Sequence, residues 1–183
     1  MLSSGQILLL LVITLLGRMP ASGAGCVPPP PGLVGWWSGD GTSNDVMGVD
    51  NGILQGGVAF TNGEAGQAFL FDGTNAYVQI SDVSWLSPHV GEAGELTVEA
   101  WVLLPRLPKF DTATSQANRA VVVKGSPGQW EYGLYVTTNG VPVFGVWQAG
   151  GSGYASAAGS AISTNQWHFL TGVLKKGQFA RLY

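Results

Sequence analysis

Short runs of β-branched and aromatic residues, each ended by glycine or another turn-forming residue, most limit what this chain can fold into. The 183 residues include 28 glycines, and after the first 25 residues no helical periodicity extends beyond two turns. Closely spaced short strands without helical crossovers are typical of antiparallel sheets packed face to face. The sequence therefore predicts an all-β fold, a two-sheet antiparallel jelly-roll sandwich.

Several runs alternate between apolar and polar residues, as a strand with one buried face does. The clearest is 96–102, where Val98 and Val102 share one face while Trp101 lies on the other. Between the runs 132–136 and 141–145, Asn139-Gly140 can take the positive φ angles of a type I′ turn, which predicts a hairpin. The predicted strands span residues 32–37, 52–54, 58–61, 68–72, 77–81, 96–104, 119–124, 130–137, 141–148, 167–175 and 179–183.

The first residues predict export. Residues 7–16 form an apolar run of about ten residues, half the roughly 20 that span a bilayer. Ser22-Gly23-Ala24 then supplies the small residues of a signal-peptidase site, so residues 1–24 are predicted to be a signal peptide. The mature protein is expected outside the cell or on its surface, with residues 25–31 as a proline-rich linker and 32–183 as one domain. The last predicted strand reaches Tyr183 without a closing turn, so we expect this domain to be incomplete at its C-terminus.

The single cysteine, Cys26, leaves three alternatives open. A bacterial lipoprotein carries its lipid on the cysteine directly after the cleavage site, and Ala24-Gly25-Cys26 matches that pattern in part. It can also pair with a cysteine outside this sequence, or remain a free thiol in the leader.

Charge excludes one class of partner. The formal net charge of −3 argues against nucleic acid, since binding phosphates requires a clustered basic surface. After the leader, no further apolar run reaches membrane-spanning length, so no transmembrane segment is expected in the mature chain.

Four ordered segments resemble bacterial laminin G-like, or concanavalin A-like, jelly-roll domains. They are Gly-Leu-Val-Gly-Trp-Trp at 32–37, Gly-Gln-Ala-Phe-Leu-Phe-Asp-Gly at 66–73, Leu-Thr-Val-Glu-Ala-Trp-Val at 96–102 and Asn-Gln-Trp-His at 165–168. The resemblance implies two curved antiparallel sheets in an exported, often multidomain protein. It also implies recognition of carbohydrate or protein ligands, in many members with a calcium ion at the rim of the sandwich.

Catalytic patterns are missing from the sequence. The resemblance implies that glucanases of this fold carry Glu-x-Asp-x-x-Glu on one strand, and no such triplet occurs here. Glu95 and Glu99 share a strand face about 13 Å apart, whereas paired glycosidase carboxylates need roughly 5 to 9.5 Å. Neither His89 nor His168 lies in a nucleophile motif, and no Gly-x-Ser-x-Gly elbow is present. We therefore expect a module without enzymatic activity.

Oxygen-bearing side chains are concentrated in the loop 40–51, which makes calcium the cofactor to consider. The loop does not match an EF-hand, because Asp45 stands where that loop requires glycine. The alternative is that these side chains make Asx turns and cap loop backbones. The candidate metal ligands are Asp40, Asn44, Asp45 and Asp50, with Asp72 in a following turn.

Aromatic rings provide the platforms on which proteins stack sugars, and seven tryptophans supply them here. Trp101 and Trp167 lie in regular strands and are expected to pack internally. Trp130 and Trp147 flank the predicted hairpin, and Tyr154 lies in the flexible, uncharged segment 149–156, so these three are the candidate ligand-binding residues. The predicted partner is a glycan or an extracellular protein; the alternatives are a structural or adhesive spacer, or an accessory domain of a larger polysaccharide-degrading enzyme.

Overall fold

The computed structural model describes residues 28–87, 94–109, 118–126, 129–147, 154–175 and 177–183. The predicted signal peptide, Cys26 and His89 lie outside these ranges. Contacts divide the chain into two compact units, Met1–Leu33 and Val34–Tyr183. In the first, the backbone N–H of Leu33 donates to the carbonyl of Pro30 at 3.2 Å.

Eleven strands and one short 3-10 helix (Ser84–Leu86) are found in the described ranges. The strands are β1 (Ile53–Gln55), β2 (Ala59–Asn62), β3 (Gln67–Leu70), β4 (Tyr77–Gln79), β5 (Glu95–Leu103), β6 (Asn118–Ser126), β7 (Gln129–Thr137), β8 (Pro142–Trp147), β9 (Tyr154–Ala158), β10 (Trp167–Lys175) and β11 (Phe179–Leu182). Over the same ranges, no helix is long and apolar enough to cross a membrane.

Two antiparallel sheets form the body of the sandwich. One has the strand order β6-β7-β8-β9 and the other β11-β10-β5, while β1-β4 and β2-β3 form two smaller pairs. All pairings are antiparallel, as the alternation in the sequence predicts. The predicted all-β jelly-roll sandwich is therefore confirmed.

The core lies between the two larger sheets. Apolar side chains from alternate positions of β5 and β10 meet those of β7 and β8, and Leu134 and Phe144 are fully buried. At Gly172 the sheets approach so closely that an added Cβ atom would lie 2.4 Å from the Phe144 ring, a separation that side-chain carbons do not tolerate. The buried cluster consists of Val98, Val102, Tyr132, Leu134, Phe144, Val146, Leu170 and Leu174.

The hairpin between β7 and β8 forms as predicted, but its turn is of another type. Among non-glycine residues with described backbone only Asn165 has a positive φ, so Asn139 does not meet the requirement of a type I′ turn. Thr137 pairs with Val141 through its N–H, leaving a three-residue loop in which Gly140 takes a φ of 77°. A three-residue loop needs the left-handed conformation only at its last position, which glycine adopts without strain.

Two predicted segments differ from the structure. Residues 32–37 do not form a strand, and only an isolated bridge joins Trp37 to Asp45. The predicted flexible segment 149–156 includes the start of strand β9, whose composition of small residues conceals its strand character. Ala155 and Ala157 pair with Val146 and Phe144 of strand β8.

Candidate recognition surfaces

The acid-rich loop 40–51 is organised around the carboxylate of Asp45, which is 4% exposed. Its Oδ1 accepts the backbone N–H groups of Trp36 at 2.8 Å and Met47 at 3.0 Å. Its Oδ2 accepts those of Val49 at 3.1 Å and Asp50 at 3.3 Å. One side chain thus fixes the loop backbone on both sides of itself.

The same contacts decide the ionisation of Asp45. Burial raises its pKa, but the hydrogen bonds from the four backbone N–H groups outweigh burial and hold the pKa below the ordinary value. A carboxylate surrounded by donors is well satisfied as an anion. A cation requires acceptors, and both oxygens of this carboxylate already serve the backbone.

Two of the other candidate metal ligands, Asp40 and Asp50, have protein partners for a carboxylate oxygen. Asp40 Oδ1 accepts the N–H of Gln67 at 2.7 Å, and Asp50 Oδ2 accepts the indole N–H of Trp85 at 2.6 Å. Exposed Asn44 uses its backbone N–H to reach the hydroxyl of Thr42.

Asp72 closes a separate turn. It accepts hydrogen bonds from the backbone N–H groups of Thr74, Asn75 and Ala76 and from the Thr74 hydroxyl. The hydroxyl and these N–H groups lower the pKa of Asp72 to about 2. This is the Asx-turn chemistry that the sequence offered as the alternative to metal binding.

The hydrogen bonds of Asp45 and Asp72 support the turn-forming alternative to calcium binding at these two residues. Within the described ranges, no three His, Cys, Asp or Glu side chains form a group that could hold a metal ion. Calcium binding through Asp40, Asn44, Asp45, Asp50 or Asp72 stays a prediction.

The outer face of the β6-β7-β8-β9 sheet contains a concentration of aromatic side chains. Gly133 of β7 has no side chain, and three neighbours converge over it: an ideal Cβ there would lie 3.2 Å from Val123, 3.7 Å from Trp147 and 3.8 Å from Tyr135. Gly133 pairs with Gly145 across the β7-β8 ladder, so two bare backbone positions lie side by side. We call this surface, defined by Val123, Gly133, Tyr135, Gly145 and Trp147, the Trp147 face.

The structure brings the three predicted ligand-binding residues to one end of this sheet. Tyr154 is the register partner of Trp147, and its side chain lies outside what the structure describes. Trp130 is half-buried and pairs with Gly125, where the register of β6 against β7 shifts. Such an irregularity changes the face on which the following side chains lie. Simple alternation therefore does not predict which face of the sheet Trp130 occupies. Sequence reasoning missed Tyr135, whose alternation with Leu134 and Val136 places it on the outer face.

The outer face of the β11-β10-β5 sheet contradicts the expected packing of Trp101. The Trp101 side chain is 51% exposed and that of Phe169 46% exposed. The two residues pair across the β5-β10 ladder, and their rings lie 5.1 Å apart at 45°. Leu103 and Trp167 form the adjacent pair, and we call this four-residue surface the Trp101 face. Its signal was present in the sequence, since alternation with buried Val98 and Val102 already turns Trp101 outward.

One side-chain pair was not anticipated from the sequence. His168 Nε2 lies 3.1 Å from both the hydroxyl and the carbonyl of Ser163. A carbonyl oxygen can only accept, so its contact with Nε2 is satisfied by the tautomer that carries the hydrogen on Nε2, and the Ser163 hydroxyl then donates to Gln166 Oε1 at 2.7 Å. A protonated Nε2 accepts no proton, so this arrangement closes the turn around Asn165 and does not activate a nucleophile.

Comparisons with known proteins agree with this architecture. The family model Laminin_G_3, described as the concanavalin A-like lectin/glucanases superfamily, matches residues 72–183. Neither the curated proteins nor the solved structures provide a match. Membership of this family indicates a carbohydrate- or protein-binding module in general, of a kind that is usually extracellular. The match spans more than half of the chain, which therefore belongs to the laminin G-like family of the concanavalin A-like lectin/glucanase superfamily.

Proposed function

We propose that this chain is the non-catalytic recognition module of an exported protein and binds carbohydrate through the Trp147 face. The observation that carries the proposal is the convergence of Val123, Tyr135 and Trp147 over Gly133 on an outer sheet face. Flat aromatic rings offer a large apolar area at low cost in conformational entropy. The C–H faces of a pyranose ring are the sugar surface that such rings receive.

Polar groups border the aromatic residues. Ser156 of β9 is exposed and pairs with Gly145 of β8. Gly145 and Trp147 follow each other on the outer face of β8. Glu131 shares the outer face with Gly133 because it alternates with buried Tyr132, and its side chain keeps 32% exposure beside the Lys124 ammonium at 3.6 Å. A few convergent polar groups beside an apolar surface are what fixes the orientation of a small ligand.

The test is a glycan array probed with the full chain, followed by titration of the best-bound glycan. Trp147→Ala is expected to weaken binding by about tenfold or more, since buried aromatic anchors dominate recognition energies. Trp147→Phe retains a ring and should lose less affinity. Trp36→Ala is the matched control, because it removes an indole that is 46% exposed in another part of the chain.

Unchanged affinity in Trp147→Ala would reject this face as the site. Failure to bind any glycan, combined with capture of a defined extracellular protein that depends on Trp147, would favour a protein ligand. Absence of both activities would favour the spacer. An accessory role beside a polysaccharide-degrading domain requires the bound glycan to be the substrate of that domain.

Calcium binding by the loop 40–51 is tested separately, by thermal unfolding of the full chain. If the loop 40–51 holds an ion, a chelator lowers the melting temperature and calcium restores it. An unchanged transition removes calcium from the proposal and leaves the aromatic platform as the whole site.

Export and the fate of Cys26 are tested by the intact mass of the mature protein. Cleavage after Ala24 leaves Gly25 as the first residue. A mass equal to that polypeptide supports secretion with a free thiol, whereas a chain that begins at Cys26 and carries an added diacylglycerol mass supports a lipid anchor. Retention of residues 1–24 would contradict the signal peptide.

A further inference from the structure

The Trp101 face lies on the side of the sandwich opposite the Trp147 face, because each sheet turns its other face into the shared core. We propose that the Trp101 face is a second, independent surface that binds a neutral glycan chain. This proposal does not depend on the Trp147 face, and the two are tested with different residues.

The arrangement of residues across the three strands supports this assignment. Trp101 and Phe169 form one row with their rings in contact. The next row holds Glu99 and Thr171, and Tyr183 exchanges two backbone hydrogen bonds of 3.0 Å with Thr171. The face thus passes from exposed rings to a carboxylate and hydroxyl groups within one step along the sheet, about 7 Å. A pyranose ring has the same two characters, an apolar C–H face and a hydroxyl edge.

Charge favours a neutral ligand over an anionic one. Lys175 Nζ lies 3.5 Å from Glu95, and the Arg181 guanidinium lies 4.2 Å from the centre of the Phe179 ring. Lys175 lies at the end of the sheet away from Trp101, whereas Arg181 also donates from Nη1 to the hydroxyl of Tyr183 at 3.4 Å. Both cations therefore already have partners within this chain. The carboxylate adjacent to the rings is Glu99, which repels a sulfated or uronic acid chain. Binding a polyanion requires a cluster of cations, and these positions do not provide one.

The area of the rings argues against a second copy of this chain as the occupant. An aromatic side chain has about 150–250 Å² to bury. With Trp101 51% and Phe169 46% exposed, the two rings together offer about 200 Å². A stable protein–protein interface buries about 800 Å² on each partner. The ring pair supplies about a quarter of that area, which is too little to anchor a dimer by itself.

The experiment is chemical-shift mapping on the full chain, titrated with cellohexaose, xylohexaose and mannohexaose as neutral probes and with a heparin hexasaccharide as the anionic control. Saturable shifts at Trp101, Phe169 and Thr171 with a neutral probe, and none with heparin, are expected. Trp101→Ala should weaken this binding by about tenfold and leave binding at the Trp147 face unchanged. Trp101→Tyr retains a ring and should recover most of the affinity.

Each other outcome overturns the proposal. Neutral probes that shift only residues of the Trp147 face leave the proposed function standing and remove this second surface. Stronger shifts with heparin contradict the charge argument. A concentration-dependent dimer that Trp101→Ala abolishes would identify the face as an interface between copies. Mapping on the unmodified chain keeps the test valid if a variant does not fold.

Discussion

Residues 34–87 and 94–183 belong to one compact unit but are organised by different forces. Every apolar side chain that is buried in the described ranges lies between Val98 and Leu174. In 34–87 the buried side chains are the carboxylates of Asp45 and Asp50. The first region is therefore organised by hydrogen bonds to its acidic residues, and the second by burial of apolar surface between two sheets.

The difference indicates where the sandwich opens first. Burial of a large apolar side chain contributes about 1.5–3 kcal/mol, whereas an ordinary hydrogen bond contributes a net of about 0.5–1.5 kcal/mol. Residues 34–87 also leave large apolar side chains such as Val49 and Ile53 more than half exposed. We expect local opening of 34–87 at a lower free energy than global unfolding.

The largest predicted effect comes from a matched pair of phenylalanines. Phe144→Ala should lower the free energy of unfolding by about 3–5 kcal/mol, because the ring is fully buried between the sheets. Phe71→Ala should cost about 1 kcal/mol or less, because that ring is 46% exposed. Chemical denaturation of both variants measures the difference, and equal losses would show that the two regions do not differ in this way.

The next effect concerns the close approach of the sheets. Gly172→Ala places a methyl group 2.4 Å from the Phe144 ring, and such overpacking costs about 1–3 kcal/mol. The control is Gly133→Ala, another strand glycine, where the added carbon would lie 3.2 Å from the Val123 side chain. Because Val123 is 47% exposed, it can move by the few tenths of an ångström that this contact requires. A melting temperature unchanged by Gly172→Ala would mean that the sheets are less tightly packed than the structure has them.

A local effect is expected from Asp45→Asn. The amide has one acceptor oxygen in place of two and no charge, so two of the four backbone N–H groups lose their acceptor. Hydrogen bonds to charged groups contribute about 1.5–3 kcal/mol, and amide exchange in this loop should quicken about tenfold or more. The matched control is Asp40→Asn, an exposed side chain that accepts one backbone N–H. Equal quickening throughout β5 and β10 would show that the two regions unfold together.

Acid should produce the smallest and most gradual change. Asp45 and Asp72 have pKa values below their ordinary ones in the folded chain. At a pH between the folded and the unfolded pKa of each residue, the unfolded chain therefore binds more protons than the folded chain. The contribution of these two carboxylates to the free energy of unfolding is fully present above about pH 4. It declines as the pH falls toward the folded pKa of Asp72, about 2. Amide exchange from pH 5 to pH 2 should show 34–87 losing protection before the core. Loss in the reverse order would contradict the assignment.

The same difference explains how far the sequence could be interpreted. Alternation indicated β5, β7, β8 and β10, because each has one face in an apolar core. It failed at 32–37, where the side chain of Asp45 organises the backbone in place of a strand partner. It also failed at β9, where the small residues Ala155 and Ala157 carry little strand signal. The Trp147 and Trp101 faces depend on which strands are neighbours and on the register of their pairing. Neither can be inferred from the alternation pattern of a single sequence.

The contact between Gly172 and Phe144 has a consequence for how this domain can vary. Because the ring fills the space that a side chain at 172 would need, the two positions cannot change independently. Gly172→Ala should be costly alone and less costly together with Phe144→Leu, so the double variant should be more stable than the sum of the single losses predicts. The narrow gap between the sheets is thus a joint property of two residues that lie on different sheets.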